Sequence, residues 1–123
     1  MKLYKSQNEY DTEAYTNGAA ALVVGAPVKL ASGKLVAEAA APTHVVLEAA
    51  KANEANILVH PIRKDEQYSA ILSANGSSLN VGDAVTLTTA GLATATTASG
   101  VFRIEEFLDA TKASGTVVVG KFI

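Results

Sequence analysis

The chain has 123 residues, 49% of them hydrophobic and 18% charged, with a formal net charge of −2 and neither Cys nor Trp. That length suits one domain, and the lack of cysteine excludes a disulfide framework, a thiolate nucleophile and a Cys-based metal site. Ten basic residues are scattered among twelve acidic ones without forming a Lys/Arg-rich run. Nucleic acid is therefore not an expected partner, because phosphate neutralisation supplies most of such affinity.

The hydrophobic fraction divides into 32 residues of Val, Leu, Ile or Phe and 23 of Ala. The large residues suffice for one modest core, and alanine adds little buried area. The longest apolar stretch, residues 19–28, contains Gly25 and Pro27 and is half the roughly 20 residues a membrane span needs. It follows Glu9, Asp11 and Glu13 rather than a basic segment, unlike a signal peptide. No membrane partner is expected, and the chain reads as soluble and not exported.

Residues 1–18 hold Tyr4, Tyr10 and Tyr15, with few aliphatic residues and no firm period. Two readings fit: a frayed or partly docked terminus, or an extended binding arm with these tyrosines as the partner interface. Residues 19–123 read as a single β domain. Val28, Lys29 and Leu30 alternate, a Ser-Gly turn follows, and Leu35-Val36-Ala37 resumes, which is a hairpin pattern. The pattern recurs at an offset of 57, with Gly25 matching Gly82, Val28 matching Val85, and Leu30 matching Leu87. Leu35 matches Leu92, and Val45 meets Phe102. Gly33 and Gly91 fall one position out of step, as if one turn were longer.

Between these units, residues 48–56 have the Ala, Glu and Lys content of a helical turn or a loop. Residues 57–62 form a buried-type strand whose Pro61 marks a strand end or edge. After the charged turn 63–66, residues 68–72 run back. Residues 101–104 form another strand, 105–112 a short helix or wide turn, and 116–123 a closing strand. The expectation is an all-β or mostly β fold, a small barrel or sandwich built from two related hairpin units.

No chemistry-bearing constellation stands out. His44 and Glu48 are four apart on a Val-rich strand, about 13 Å at ~3.3 Å per residue, too far to share an ion. His60 lies in an apolar strand, and Asp65-Glu66 reads as a solvated turn. Ser77-Ser78 lacks a nucleophile-elbow context, and phosphate, dinucleotide and calcium loops are absent. No catalytic residue, metal ligand or cofactor is expected.

The turn at Gly82-Asp83-Ala84-Val85 resembles that of SH3-like barrels, although no basic loops accompany it. Lys34 at a hairpin tip is similar in place to the modified lysine of biotinyl and lipoyl carriers, but Gly33 and Leu35 do not match their flanks. Taken together, GAPVKLASGKLV (25–36), ILVHPI (57–62), VGDAVTLTTAGL (81–92) and GTVVVGKF (115–122) resemble the head decoration, or capsid cement, proteins of tailed bacteriophages. The resemblance runs from about residue 20 to the end. It implies a non-enzymatic virion protein on the outer capsid surface, made in the host cytoplasm. Its implied partners are the major capsid protein and, where such proteins sit at three-fold positions rather than singly at capsomer centres, itself as a homotrimer. A module of the tail or baseplate, or an SH3-like nucleic-acid-binding domain, is the alternative.

Overall fold

A computed structural model describes residues 1–5 and 11–123, except for the side chain of Lys5. The described chain is all-β. Its strands are β1 (Lys2–Lys5), β2 (Glu13–Tyr15), β3 (Pro27–Ala31), β4 (Lys34–Ala37), β5 (His44–Val46), β6 (Ile57–Pro61), β7 (Gln67–Ile71), β8 (Ala84–Val85), β9 (Phe102–Phe107) and β10 (Val117–Phe122). They form two five-stranded antiparallel sheets, ordered β2-β6-β5-β3-β4 and β1-β7-β10-β9-β8, in a sandwich-like rather than a closed-barrel arrangement.

The first hairpin follows from its turn. Ala31 faces Lys34, leaving the two-residue loop Ser32-Gly33. Both loop residues have positive φ, 51° and 77°. This is the combination that matches the twist of paired strands, and glycine adopts it without steric cost. The related turn of the second unit is one residue longer. Gly91 donates to the carbonyl of Thr88, and Thr88 donates to the carbonyl of Leu92. Gly91, with φ of 84°, takes the left-handed position.

That extra residue sets the register of the whole repeat. Before the turn the offset is 57: Gly25 donates to Val46 O as Gly82 does to Ile104 O, and Val46 donates to Ala26 O as Ile104 does to Asp83 O. On the third strand the offset is therefore 58, so Val46 corresponds to Ile104 and Val45 to Arg103, not to Phe102. The likeness continues beyond the hairpins. The pairs His44↔Pro61, Val45↔His60 and Val46↔Val59 recur as Phe102↔Phe122, Arg103↔Lys121 and Ile104↔Gly120. The pairs Glu13↔Val59, Ala14↔Leu58 and Tyr15↔Ile57 recur as Tyr68↔Gly120, Ser69↔Val119 and Ala70↔Val118. Even the isolated parallel bridge Asn17↔Leu35 has its counterpart in Leu72↔Ala93. Thus β2 through β6 form one unit and β7 through β10, with the Leu92–Ala93 return, form the other.

The described part of residues 1–18 belongs to these sheets. β2 is the first strand of the first unit, and β1 pairs with the outer edge of β7 in the second. Residues 48–56 take the loop alternative, without a helix. One local expectation changes: β9 extends through Phe107, so 105–107 are strand and only 108–112 turn. In β9 Phe102 and Ile104 alternate with Arg103 and Glu105, and Phe107 follows a bulge opposite Val119 and Gly120; this pattern outweighs the helix propensity of the Glu pair.

Each unit buries an apolar face largely within itself. One cluster gathers Leu22, Val28, Leu35, Val46, Ile57 and Val59 of the first unit. The other is built on Tyr68, Leu72, Phe102, Ile104 and Phe122 of the second. Tyr68 and Phe102 both meet Phe122 edge-on, at 5.2 and 5.8 Å between centroids, worth about 0.5–1.5 kcal/mol each beyond area burial. Val45 is the crossing point, a first-unit residue packed into the second cluster.

Candidate functional site

Two features of the first unit gather the side chains with chemical or binding character. They are a set of polar locks on residues 11–15 and an apolar strip on the face of its sheet turned away from its own hydrophobic cluster.

The locks come from β5, β6 and the turn after β6. His44 Nε2 meets Glu13 Oε1 at 2.7 Å, and the Tyr15 hydroxyl donates to the same oxygen at 2.7 Å. These two hydrogen bonds, Tyr15 first, hold the Glu13 carboxyl below the usual carboxylate range, and Glu13 in return pushes the Tyr15 phenol up. Thr43 Oγ1 lies 2.8 Å from His44 Nδ1, and the Tyr15 ring packs edge-on against the imidazole. Further along, Arg63 pairs with the Asp11 carboxylate. His60 is buried between the Asp11 carbonyl, 2.8 Å from Nδ1, and Glu66 Oε1, 2.8 Å from Nε2. The carbonyl can only accept, so Nδ1 carries a proton, and a second proton is shared between Nε2 and Glu66. The Tyr68 hydroxyl also donates to Glu66, and burial pushes its phenol well up.

This corrects the reading of the 63–66 turn. Asp65 is solvated, but Glu66 is only 2% exposed. The sequence hid this because burial of a turn carboxylate depends on a partner from another strand. The one available signal was His60, a polar residue at a buried strand position. Among the described residues no group of three or more His, Asp or Glu could hold a metal ion. His44 and Glu48 do not meet: Glu48 accepts from the Leu58 N–H, while His44 faces Glu13. The Ser77 N–H donates to Asn75 Oδ1 in a local turn, and Lys34 is exposed at its hairpin.

The apolar strip follows from the repeat. On the outward side of the second sheet stand Arg103, Glu105 and Lys121, with Gln67 donating to Glu105 at 2.9 Å and Lys121 lying 3.8 Å from it. The corresponding first-unit positions are Val45, Leu47 and His60. Val45 and His60 are covered. Leu47 is 40% exposed, beside Leu58 at 41% and Val24 at 51%. Backbone bonds place these three side by side: Gly25 donates to Val46 O, and Leu47 to Leu58 O. A cavity of about 350 Å³ opens where Val24 and Leu47 meet Met1, Leu3 and Tyr68.

Of the tyrosines expected at an interface, Tyr4 is 40% exposed on β1 and Tyr15 is half-buried on β2, in different sheets. Tyr10 lies outside the described residues. No protein-family model and no curated protein matches the chain.

Proposed function

We propose that this chain is a structural protein of a bacteriophage head, binding the outer surface of the assembled capsid and stabilising its lattice without catalysing a reaction. The segments that resemble head decoration proteins form the two hairpins, β6 and the closing strand β10. The observation that carries the reading is the exposed strip of Val24, Leu47 and Leu58 on a two-unit sheet scaffold; at the Leu47 position the sister unit carries Glu105, which accepts from Gln67 and lies beside Lys121. Apolar side chains at the surface of a rigid sheet suit a flat protein partner.

The mechanism is mass action. A protein that binds the closed lattice and not its free subunits stabilises the lattice in proportion to occupancy. The partner is the major capsid protein, and the site of action is the outside of the virion.

Co-sedimentation with mature heads tests this. Saturable binding to heads, and none to free capsid subunits, is expected. Val24→Asp with Leu47→Asp is expected to weaken it by tenfold or more, about the effect of ~1.4 kcal/mol. Both side chains are exposed, so the variant keeps its fold. Deleting residues 2–16 is a poorer test, because it removes β1 and β2 from the sheets. Absence of binding to heads by the folded wild-type protein overturns the proposal.

A further inference from the structure

The repeat exposes an imbalance between the two units. The outer edge of β7 is occupied by β1, with Lys2 opposite Ser69 and Leu3 opposite Tyr68. The corresponding outer edge in the first unit belongs to β2, and no described strand pairs with it.

Backbone directions make that edge specific. The Leu58 carbonyl accepts from Leu47 and the Leu58 N–H donates to Glu48, so both groups point toward β5. The pair Ala14↔Leu58 is then of the non-hydrogen-bonded kind, which turns the N–H and C=O of Ala14 outward, away from β6. Ser69, its counterpart, sits between Val119 on one side and Lys2 of β1 on the other. Ala14 has only the first neighbour.

We infer that β2 pairs with β2 of a second copy, antiparallel about a two-fold axis at Ala14, so that the first sheets of two chains join into one. The strand is self-complementary. Ala14 of each copy exchanges both hydrogen bonds with Ala14 of the other, and Glu13 lies opposite Tyr15, so no like charges face each other. Ala14 is exposed and small, and nothing on it obstructs an approaching backbone. Each Leu58 lies beside its Ala14, so pairing joins the apolar strips of the two copies across the axis. A closed two-fold contact also covers an edge that otherwise stays open to uncontrolled pairing. The inference does not rest on the head-binding reading, and its two-fold pairing departs from the homotrimer that the resemblance implies.

The chain has no cysteine, which gives a direct test. In the paired geometry the two Ala14 Cα atoms lie about 5.5 Å apart, within the span of a short thiol-to-thiol cross-linker. Treating Ala14→Cys with a short bis-maleimide is expected to give a covalent dimer, whereas Ser69→Cys, on the occupied edge, is expected to stay monomeric. By sedimentation equilibrium the wild type is expected to dimerise. Ala14→Pro, which removes only an outward N–H, is expected to weaken dimerisation by about tenfold or more. A monomer at millimolar concentration, a trimer, or a dimer unaffected by Ala14→Pro overturns the inference. So does a monomer whose Ala14→Pro variant loses binding to heads, since β2 then pairs with the capsid protein. If Ala14→Pro fails to fold, the two cysteine variants decide the matter.

Discussion

His60 Nε2 and Glu66 Oε1 meet at 2.8 Å with both side chains 2% exposed, making this the most deeply buried ion pair among the described residues. The pair anchors residues ahead of β2 to the far end of β6, because His60 also donates to the Asp11 carbonyl.

Glu66→Ala is expected to destabilise the fold by about 3–5 kcal/mol, the usual cost of leaving one partner of a buried pair alone. Glu66→Gln is expected to cost far less. Its amide donates to Nε2 of a neutral imidazole while Nδ1 keeps its bond to Asp11. Urea denaturation of the two variants checks the difference. Equal losses refute the shared-proton arrangement.

Acid is expected to loosen the lock at Glu13. Its folded-state pKa is lowered by Tyr15 and His44, so its contribution is complete above the unfolded carboxylate range, near ~4.3. It is lost as pH falls through the lower folded value. The denaturation midpoint of wild type should therefore fall more than that of Glu13→Gln between pH 6 and pH 3. The side chain is 40% exposed, and salt is expected to shrink the difference.

Tyr68 governs the alkaline limit. Burial raises its pKa, so the unfolded chain releases this proton first once pH passes about 10. Stability then declines as pH rises further, since the native state holds more protons. Ultraviolet titration should show one tyrosine that ionises only with unfolding. Tyr68→Phe should abolish that late step, while costing about 1 kcal/mol at neutral pH for the bond to Glu66.

The hairpin turn offers a gain. Ser32 holds a φ of 51°, a conformation for which asparagine is better suited. Ser32→Asn creates an Asn-Gly turn and is expected to stabilise by roughly 0.5 kcal/mol, measurable as a raised midpoint with an unchanged denaturant slope.

The contrast between hairpin and lock shows what the sequence carries. The strand and turn of 28–37 are local, since two neighbours with positive φ decide the reversal and alternation decides the face. The recurrence at 82–94 is legible for the same reason, down to its longer turn. The offset of 58 after that turn was not, because side-chain likeness in a Val- and Ala-rich chain tolerates a shift of one, whereas hydrogen-bond register does not. The partners of the polar groups were hidden more fully. Glu13 and His44 are 31 positions apart, and Glu66 sits among charged neighbours that are solvated. The described strands within residues 1–18, β1 and β2, are four and three residues long, too short to show a period.

The Ser32-Gly33 tip and its longer sister show that one scaffold accepts two loop lengths without disturbing the strands behind them. A side chain built at Gly33 meets nothing within 4 Å. Foreign peptide spliced at this tip would extend into solvent, which makes the hairpin a graft point for epitopes or affinity tags that leaves both hydrophobic clusters untouched.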